Sequence, residues 1–318
     1  MLLGAILIFS GLLLLYYGAE YLVTGSSHLA LSFGIRPLVI GLTVVAFATS
    51  MPELMVSLFA AIKGSSSIAA GNIIGSNIAN IALILGTAAL LTPLAIARTT
   101  LSREVPMMVI ASLAAYLLAW DGQLGFFNGL LLFLSLIGFL LYCIFTARGT
   151  VVLEGDGALE KVVATEVGHR RRNLLLVLFG IIGLGLGAEL MVRGAVMIAT
   201  LLGVSEVVVG LTVVALGTSL PELAASLMSA AKGEMDLSVG NVIGSNIFNV
   251  LFVLGICPMI RPLQIEPRIL RIDFPVMFGF FALLVIMLCV VPPRRVLGRW
   301  RGAVLLGGYA LFVASLFQ

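Results

Sequence analysis

Thr43–Ser57 reads TVVAFATSMPELMVS, and the pattern returns 169 residues later, where Thr212–Ser226 reads TVVALGTSLPELAAS. Each copy lies within an apolar segment, yet each contains an acid, Glu53 or Glu222, directly after a proline. A carboxylate at membrane depth is energetically unfavourable, and the usual reason for its presence is a substrate or ion pathway. The duplicated stretch therefore predicts both where the functional site lies and how the fold is divided.

The proline in each stretch predicts a local break in a helix. Because Pro52 has no N–H, the carbonyl of Ala48 loses its helical donor, and Pro221 does the same to the carbonyl of Gly217. Free carbonyls beside hydroxyls and a carboxylate are hard oxygen ligands for a hard cation. The alternative interpretation is a proline-kinked helix whose glutamate only pairs with another side chain.

The composition is typical of an integral membrane protein. Of the 318 residues, 61% are hydrophobic and 10% are charged, and the mean hydropathy is +1.19, whereas soluble domains contain roughly 25% charged residues. Several apolar runs exceed the ~18 residues that a helix needs to cross a bilayer. We therefore expect a chain surrounded by lipid, and the net charge of +3 indicates which loops face the cytoplasm rather than a nucleic-acid partner.

Apolar runs bounded by charged residues, glycine or proline predict ten transmembrane spans. They are 2–24, 38–62, 68–91, 104–120, 124–147, 173–195, 206–231, 237–260, 272–292 and 300–317. Residues 18–86 and 187–255 align without a gap, with about half of the positions identical. Because each half holds five spans, an odd number, the second half must enter the membrane from the opposite side, as in transporters with inverted repeats.

The sequence thus predicts an all-α integral membrane protein whose ten transmembrane helices form two inverted five-helix repeats. The predicted parts are a first repeat at 1–148 with its motif region at 41–86, a cytoplasmic linker at 149–172, and a second repeat at 173–318 with its motif region at 210–255. The alternative is a duplicated structural bundle without a transport role.

Of the 18 Lys and Arg residues, 13 lie in loops on one predicted side and 5 on the other. The excess of basic residues predicts both termini outside a multi-pass protein of the cell membrane.

A second motif follows each acidic stretch after one short turn. It reads GNIIGSNIAN over Gly71–Asn80 and GNVIGSNIFN over Gly240–Asn249. Ser76 and Asn80 are four residues apart, as are their counterparts Ser245 and Asn249, so each pair lies on one helix face. These polar side chains are either cation ligands or interhelical hydrogen-bonding groups, and the glycines indicate close helix packing.

Two carboxylates match the charge of one divalent cation. Ca²⁺ takes six to eight oxygen ligands, whereas Mg²⁺ keeps most of its water, and the candidate set contains no soft ligand for Zn²⁺ or Cu⁺. The sequence contains no Ser-His-Asp arrangement, phosphate-binding loop or nucleotide motif, so we predict no cofactor and no ATP-driven pump. A second ion must then supply the energy for transport.

The duplicated motif, ATSMPE at 48–53 and GTSLPE at 217–222, each followed by GNxIGSNIxN, resembles the alpha repeats of the sodium/calcium exchanger family within the calcium/cation antiporter superfamily. The ten-span layout resembles that of its prokaryotic members. The resemblance implies a Ca²⁺ site built by Glu53 and Glu222 with the main-chain carbonyls of Thr49 and Thr218. It implies sites for Na⁺, or a central site, at Ala46, Ser50, Ser76, Asn80, Ala215, Ser219, Ser245 and Asn249.

The chain departs from the family pattern at one informative position. Some members have an aspartate where this chain has Asn249, and here both central positions, Asn80 and Asn249, are asparagine. Two acids remain where those members have three, which argues against the potassium dependence that relatives link to that aspartate. Ala48 in place of the first glycine of the motif is a smaller departure.

These observations favour a Na⁺/Ca²⁺ antiporter that works by alternating access. The resemblance implies exchange of three Na⁺ for one Ca²⁺, with both ions as substrates. We predict that the functional unit is a monomer. The alternative within transport is Ca²⁺/H⁺ exchange, in which protons neutralise the two glutamates. An intramembrane enzyme with two paired acids and a passive channel are the remaining alternatives. We predict that the protein is not an enzyme.

Overall fold

The chain folds into long apolar helices interrupted at the two acidic motifs. A computed structural model describes residues 1–147, 169–202 and 215–316. Most of the predicted linker, 149–172, and the beginning of the predicted span 206–231 lie outside these ranges.

The helices of the two halves follow the same order. In the first half the α-helices are α1 (Leu2–Phe33), α2 (Pro37–Ile40), α3 (Ala46–Thr49), α4 (Met51–Ile62), α5 (Ser66–Ala79), α6 (Leu85–Leu91), α7 (Val105–Leu118) and α8 (Phe126–Ala147). In the second half they are α9 (Arg170–Leu201), α10 (Ala215–Thr218), α11 (Leu220–Ala231), α12 (Met235–Phe248), α13 (Leu254–Ile260), α14 (Phe274–Cys289) and α15 (Arg299–Ser315).

Single turns of π-helix and two-residue strands complete the described elements. The π-helical turns are π1 (Gly41–Val45), π2 (Asn80–Ile84), π3 (Thr100–Glu104), π4 (Asn249–Val253) and π5 (Ile269–Asp273). The strands are β1 (Leu94–Ala95), β2 (Gln123–Leu124), β3 (Leu263–Gln264) and β4 (Val296–Leu297). Strand β1 pairs antiparallel with β4, and β2 with β3, so each pair joins the two halves.

The internal repeat extends beyond the residues that align well in sequence. The turns π2 and π4, the turns π3 and π5, and the strands β1 and β3 each recur at the same offset of 169 residues as the motifs. In both halves a glycine with positive φ, Gly64 at 83° and Gly233 at 79°, turns the chain from the acidic helix to the next. The predicted helical hairpins α4–α5 and α11–α12 are therefore present.

Length and hydropathy identify membrane-spanning helices that match most of the predicted spans. Within the described residues seven helices qualify, and α2–α4, bent by 42°, is an eighth span if it is counted as one. The span 206–231 is not identified because it overlaps the undescribed residues, and α15 has only 17 residues. The chain is an all-helical membrane protein.

Helices α1 and α9 are longer than the predicted spans 2–24 and 173–195, since each has 32 residues. The polar run at Ser26, Ser27 and His28 follows the predicted span 2–24, which implies that His28 lies in or near a loop. That prediction is wrong, because all three residues lie inside α1. Ser26 and Ser27 are buried, and Ser27 donates a hydrogen bond to Glu234 at 2.6 Å. The run therefore continues the helix with its polar groups facing protein.

Glycines spaced seven residues apart join α1 to α9. A Cβ atom on Gly11 would lie 2.7 Å from the carbonyl oxygen of Gly187, and one on Gly18 would lie 2.7 Å from the backbone nitrogen of Leu184. Gly180 and Gly194 approach the backbone of α1 equally closely. Small residues allow this contact, since helices in lipid associate mainly through close packing.

The two motif-bearing hairpins occupy the centre of the bundle. The most apolar 18 residues of each span differ in burial. In Ser66–Leu91 and Met235–Ile260, 78% of these residues are buried, whereas in Leu2–Phe33 and Arg170–Leu201 only 28% are buried. Helices α5 and α12 are thus surrounded by other helices, whereas α1 and α9 present most of their surface to the lipid. Four of the candidate residues lie on these two central spans: Ser76, Asn80, Ser245 and Asn249.

Candidate cation-binding site

Each glutamate lies in the first turn of a helix that starts at a break. Ser50, with φ −81° and ψ 3°, separates α3 from α4, and Ser219, with φ −89° and ψ 5°, separates α10 from α11. Pro52 and Pro221 are the second residues of the new helices, within the first turn, where the N–H has no partner inside the helix. An acid in the first turn is favoured by the helix dipole. The predicted break is therefore present in both halves, and it leaves each carboxylate near a helix N-terminus.

The two carboxylates are held by serines of the opposite half. Ser219 Oγ donates to Glu53 Oε1 at 3.1 Å, and Ser50 Oγ donates to Glu222 Oε1 at 3.2 Å. Ser76 Oγ lies 3.5 Å from the same Glu53 oxygen. Both glutamates have no exposed surface. The two predicted half-sites thus form one buried site across the repeat interface.

The second oxygen of each carboxylate has no hydrogen-bond partner among the described residues. Those residues form three ion pairs, Arg36–Asp236, Arg193–Glu189 and Lys232–Glu20, and none of these includes either buried glutamate. A buried carboxylate without a compensating charge is strongly unfavourable. The arrangement is therefore complementary to a positive charge.

Most of the other predicted residues are also buried, and some of them contact residues of the opposite half. Thr49 Oγ1 lies 3.4 Å from Ser245 Oγ of the opposite half, and Asn249 Nδ2 donates to Asn77 Oδ1 at 3.1 Å. The buried members of the predicted set are Ala46, Thr49, Ser50, Glu53, Ser76, Asn80, Thr218, Ser219, Glu222, Ser245 and Asn249. Ala215 begins α10, and its side chain lies outside the described set.

Unpaired amide atoms lie on the same central helices. Neither polar side-chain atom of Asn80 has a hydrogen-bond partner in the described part of the chain, and the Oδ1 atom of Asn249 has none either. Their positions correspond at the repeat offset of 169 residues, each at the start of a π-helical turn, π2 or π4. Amide oxygens are hard ligands like carboxylates, so each asparagine carries an unpaired oxygen that could bind a cation.

Only two of the candidate ligands, Glu53 and Glu222, can carry a negative charge. Among the described residues no group of three or more His, Cys, Asp and Glu side chains is close enough to hold a metal ion. The site instead combines two carboxylates with neutral hydroxyl, amide and carbonyl oxygens. This chemistry suits a hard cation and offers no thiolate or imidazole to a soft one.

Four buried or partly buried residues that contact the site were not predicted from the sequence: Ser57, Asn72, Ser226 and Asn241. Asn72 and Asn241 each donate to a serine of the same half, Ser57 or Ser226, at 2.9 Å. Asn72 and Asn241 also accept hydrogen bonds from the threonines of the opposite half, at 3.4 and 3.2 Å. The available signal was the position of Asn72 four residues before Ser76, which places both side chains on one face of α5.

Comparison with known proteins extends the similarity to the whole chain. The family described as sodium/calcium exchanger protein matches residues 3–145 and 172–318. The inner membrane protein YrbG of Escherichia coli K12 is 38% identical, over 100% of this chain and 98% of that protein. The sodium/calcium exchanger MaX1 of Methanosarcina acetivorans is 31% identical, over 96% of both chains.

A solved structure shares the fold. The sodium-calcium exchanger NCX_Mj, soaked with 10 mM Na⁺ and no Ca²⁺, superposes with a TM-score of 0.85 at 33% identity, over 99% of both chains. The putative antiporter CaxA of Alkalimonas amylolytica is 39% identical over the full length of both chains. The motifs, the buried pair of glutamates and these full-length similarities together show that the chain belongs to the sodium/calcium exchanger family of membrane antiporters.

Proposed function

We propose that this protein is a secondary active antiporter that exchanges Na⁺, three ions per cycle, for one Ca²⁺ across the cell membrane. The observation that carries the proposal is the pair of fully buried glutamates, one from each half, each hydrogen-bonded by the serine of the other half and each with one unpaired oxygen. Two such carboxylates balance one Ca²⁺. Na⁺ competes for the same oxygens because it is also a hard cation.

The proposed roles follow the geometry and the family. Glu53 and Glu222, with the main-chain carbonyls of Thr49 and Thr218, hold Ca²⁺. The flanking Na⁺ positions use Ala46, Ser50, Ser76, Ala215, Ser219 and Ser245, and Asn80 and Asn249 line the centre. All of these ligands come from one chain, which supports a monomer as the functional unit.

The proposed architecture is ten transmembrane helices in two inverted repeats, with both termini outside. The recurrence of hairpins, π-helical turns and strands at one offset supports the repeat, and the excess of basic residues in alternate loops supports the orientation. Inverted repeats that meet at a central site allow the site to open to each side in turn. Alternating access is therefore the transport mechanism that we propose.

Purified protein in liposomes tests the coupling ion. We expect an outward Na⁺ gradient to drive Ca²⁺ uptake without a pH gradient or added K⁺, and we expect a pH gradient without Na⁺ to drive none. Uptake driven by the pH gradient alone would contradict Na⁺ coupling and establish the Ca²⁺/H⁺ alternative.

The same assay reports the stoichiometry. Exchange of three Na⁺ for one Ca²⁺ moves one net charge, on which a membrane potential acts with about 2.3 kcal/mol per 100 mV. Because each cycle of uptake carries one positive charge out, clamping the potential at zero with a potassium ionophore, with equal K⁺ added to both sides for this measurement, should accelerate Ca²⁺ entry. A rate that is indifferent to the potential would indicate two Na⁺ per Ca²⁺.

A further inference from the structure

Asn72 and Asn241 connect each glutamate-bearing helix to the opposite half of the protein. The Nδ2 atom of Asn72, on α5, donates to Ser57 Oγ at 2.9 Å and to the main-chain oxygen of Glu53 at 3.4 Å. Its Oδ1 atom accepts from Thr218 Oγ1 at 3.4 Å. One amide therefore contacts the backbone of one glutamate and the threonine from the other half.

The second half repeats this arrangement. The Nδ2 atom of Asn241, on α12, donates to Ser226 Oγ at 2.9 Å and to the main-chain oxygen of Glu222 at 3.3 Å. Its Oδ1 atom accepts from Thr49 Oγ1 at 3.2 Å. The same donors and acceptors thus occur twice, at closely similar distances, on two elements related only by the internal repeat.

An amide is suited to this position because it presents two donors and an acceptor at a fixed separation. An aspartate in its place would keep the acceptor for the threonine but lose the donor, and it would place a third negative charge beside the glutamate. An alanine would leave the threonine hydroxyl and the glutamate carbonyl without this partner. The side chain thus fixes the threonine of one half against the glutamate helix of the other.

We propose that Asn72 and Asn241 are positioning residues that set the geometry between each glutamate and the opposite threonine, and thereby the affinity for Ca²⁺. This inference rests on the proposed function, in which Glu53 and the carbonyl of Thr218 bind the same ion. A cation site must hold its ligands to within a few tenths of an ångström of the preferred distance. The cross-repeat amide provides that restraint without contributing charge.

Double-mutant cycles measured on the full-length protein in liposomes test the inference. The test pair is Asn72→Ala with Thr218→Val, which share a hydrogen bond, and the control pair is Asn72→Ala with Thr49→Val, since Thr49 bonds to Asn241 instead. We expect each single variant to raise the apparent KM for Ca²⁺ by about tenfold, as expected for a lost buried hydrogen bond, with a smaller change in the maximal rate. The KM of the test double variant should be no higher than that of its more impaired single variant. In the control pair, the factors by which the two substitutions raise KM should multiply.

Thr218→Ser is the conservative variant, because it keeps the hydroxyl that bonds to Asn72, and its KM should lie well below that of Thr218→Val. If Asn72→Ala does not fold, the repeat-related cycle replaces it, with Asn241→Ala and Thr49→Val as the test pair and Asn241→Ala and Thr218→Val as the control pair. Multiplying effects in the test pair, or equal KM values for Thr218→Val and Thr218→Ser, would overturn the positioning role. Absence of Ca²⁺ uptake by the wild type would instead refute the proposed function, so the two failures are distinguishable.

Discussion

Replacing Glu53 or Glu222 with glutamine should abolish Ca²⁺ transport while the protein still folds. Each substitution removes one of the two negative charges that face a divalent cation in a site with no exposed surface. At a separation of about 4 Å and an effective dielectric constant near 20, two unit charges interact with about 4 kcal/mol, and a divalent cation doubles this value. Loss of one carboxylate charge should therefore lower the affinity by at least roughly a thousandfold. Glutamine has the same shape and can still accept the hydrogen bond from Ser219 or Ser50. The measurement is ⁴⁵Ca²⁺ flux in liposomes that contain equal amounts of each variant.

Glu189→Gln is the matched control for these variants. Glu189 lies on α9, is exposed and pairs with Arg193 one helical turn away. Exposed ion pairs of this kind contribute little to stability, so we expect normal flux. Full flux in a monodisperse Glu53→Gln or Glu222→Gln protein would contradict the assignment of the two glutamates to the transport site.

Gly187→Leu should prevent the protein from folding stably. A Cβ atom on Gly187 would lie 2.8 Å from the backbone nitrogen of Leu15 and 2.9 Å from the carbonyl oxygen of Gly11. Because these neighbours are backbone atoms, they cannot rotate away, and α1 must separate from α9. Overpacking of side chains typically costs ~1–3 kcal/mol, and we expect at least the upper end of that range here. The yield of monodisperse protein in detergent and its thermal midpoint measure the effect.

Gly185→Leu is the control on the same helix. A Cβ atom on Gly185 meets no heavy atom of the described residues within 4 Å, and the residue is exposed on the surface of α9. A leucine at this position should face lipid, so yield and thermal midpoint should match those of the wild type. If Gly187→Leu and Gly185→Leu gave the same yield and thermal midpoint, the close glycine contacts between α1 and α9 would not be what holds these helices together.

The family, the helical membrane class and the hairpins could be predicted because they depend on local patterns. Long apolar runs, a repeated motif with a proline before an acid, and a constant offset are all visible along the chain. The lengths of α1 and α9 could not be predicted from hydropathy. Ser26 and Ser27 look like the beginning of a loop until their burial against another helix is known.

The partners of the glutamates also required the structure. The sequence placed Ser50 and Ser219 near the acids of their own halves, yet each donates to the acid of the other half, across 172 and 166 residues of sequence. Contacts at such separations depend on how the two repeats pack, which no local pattern specifies. The same limitation concealed Asn72 and Asn241, whose motif positions were visible but whose partners were not.

Anomalous X-ray scattering from crystals of the purified protein, soaked with Ca²⁺ or Sr²⁺ at low Na⁺, tests the central claim most directly. The account predicts one dominant peak about 2.3–2.6 Å from carboxylate oxygens of both Glu53 and Glu222, the usual range for Ca²⁺–oxygen contacts. The peak should disappear when Na⁺ is raised. A saturating soak that leaves no density between the two glutamates, or a peak that contacts neither of them, would contradict it.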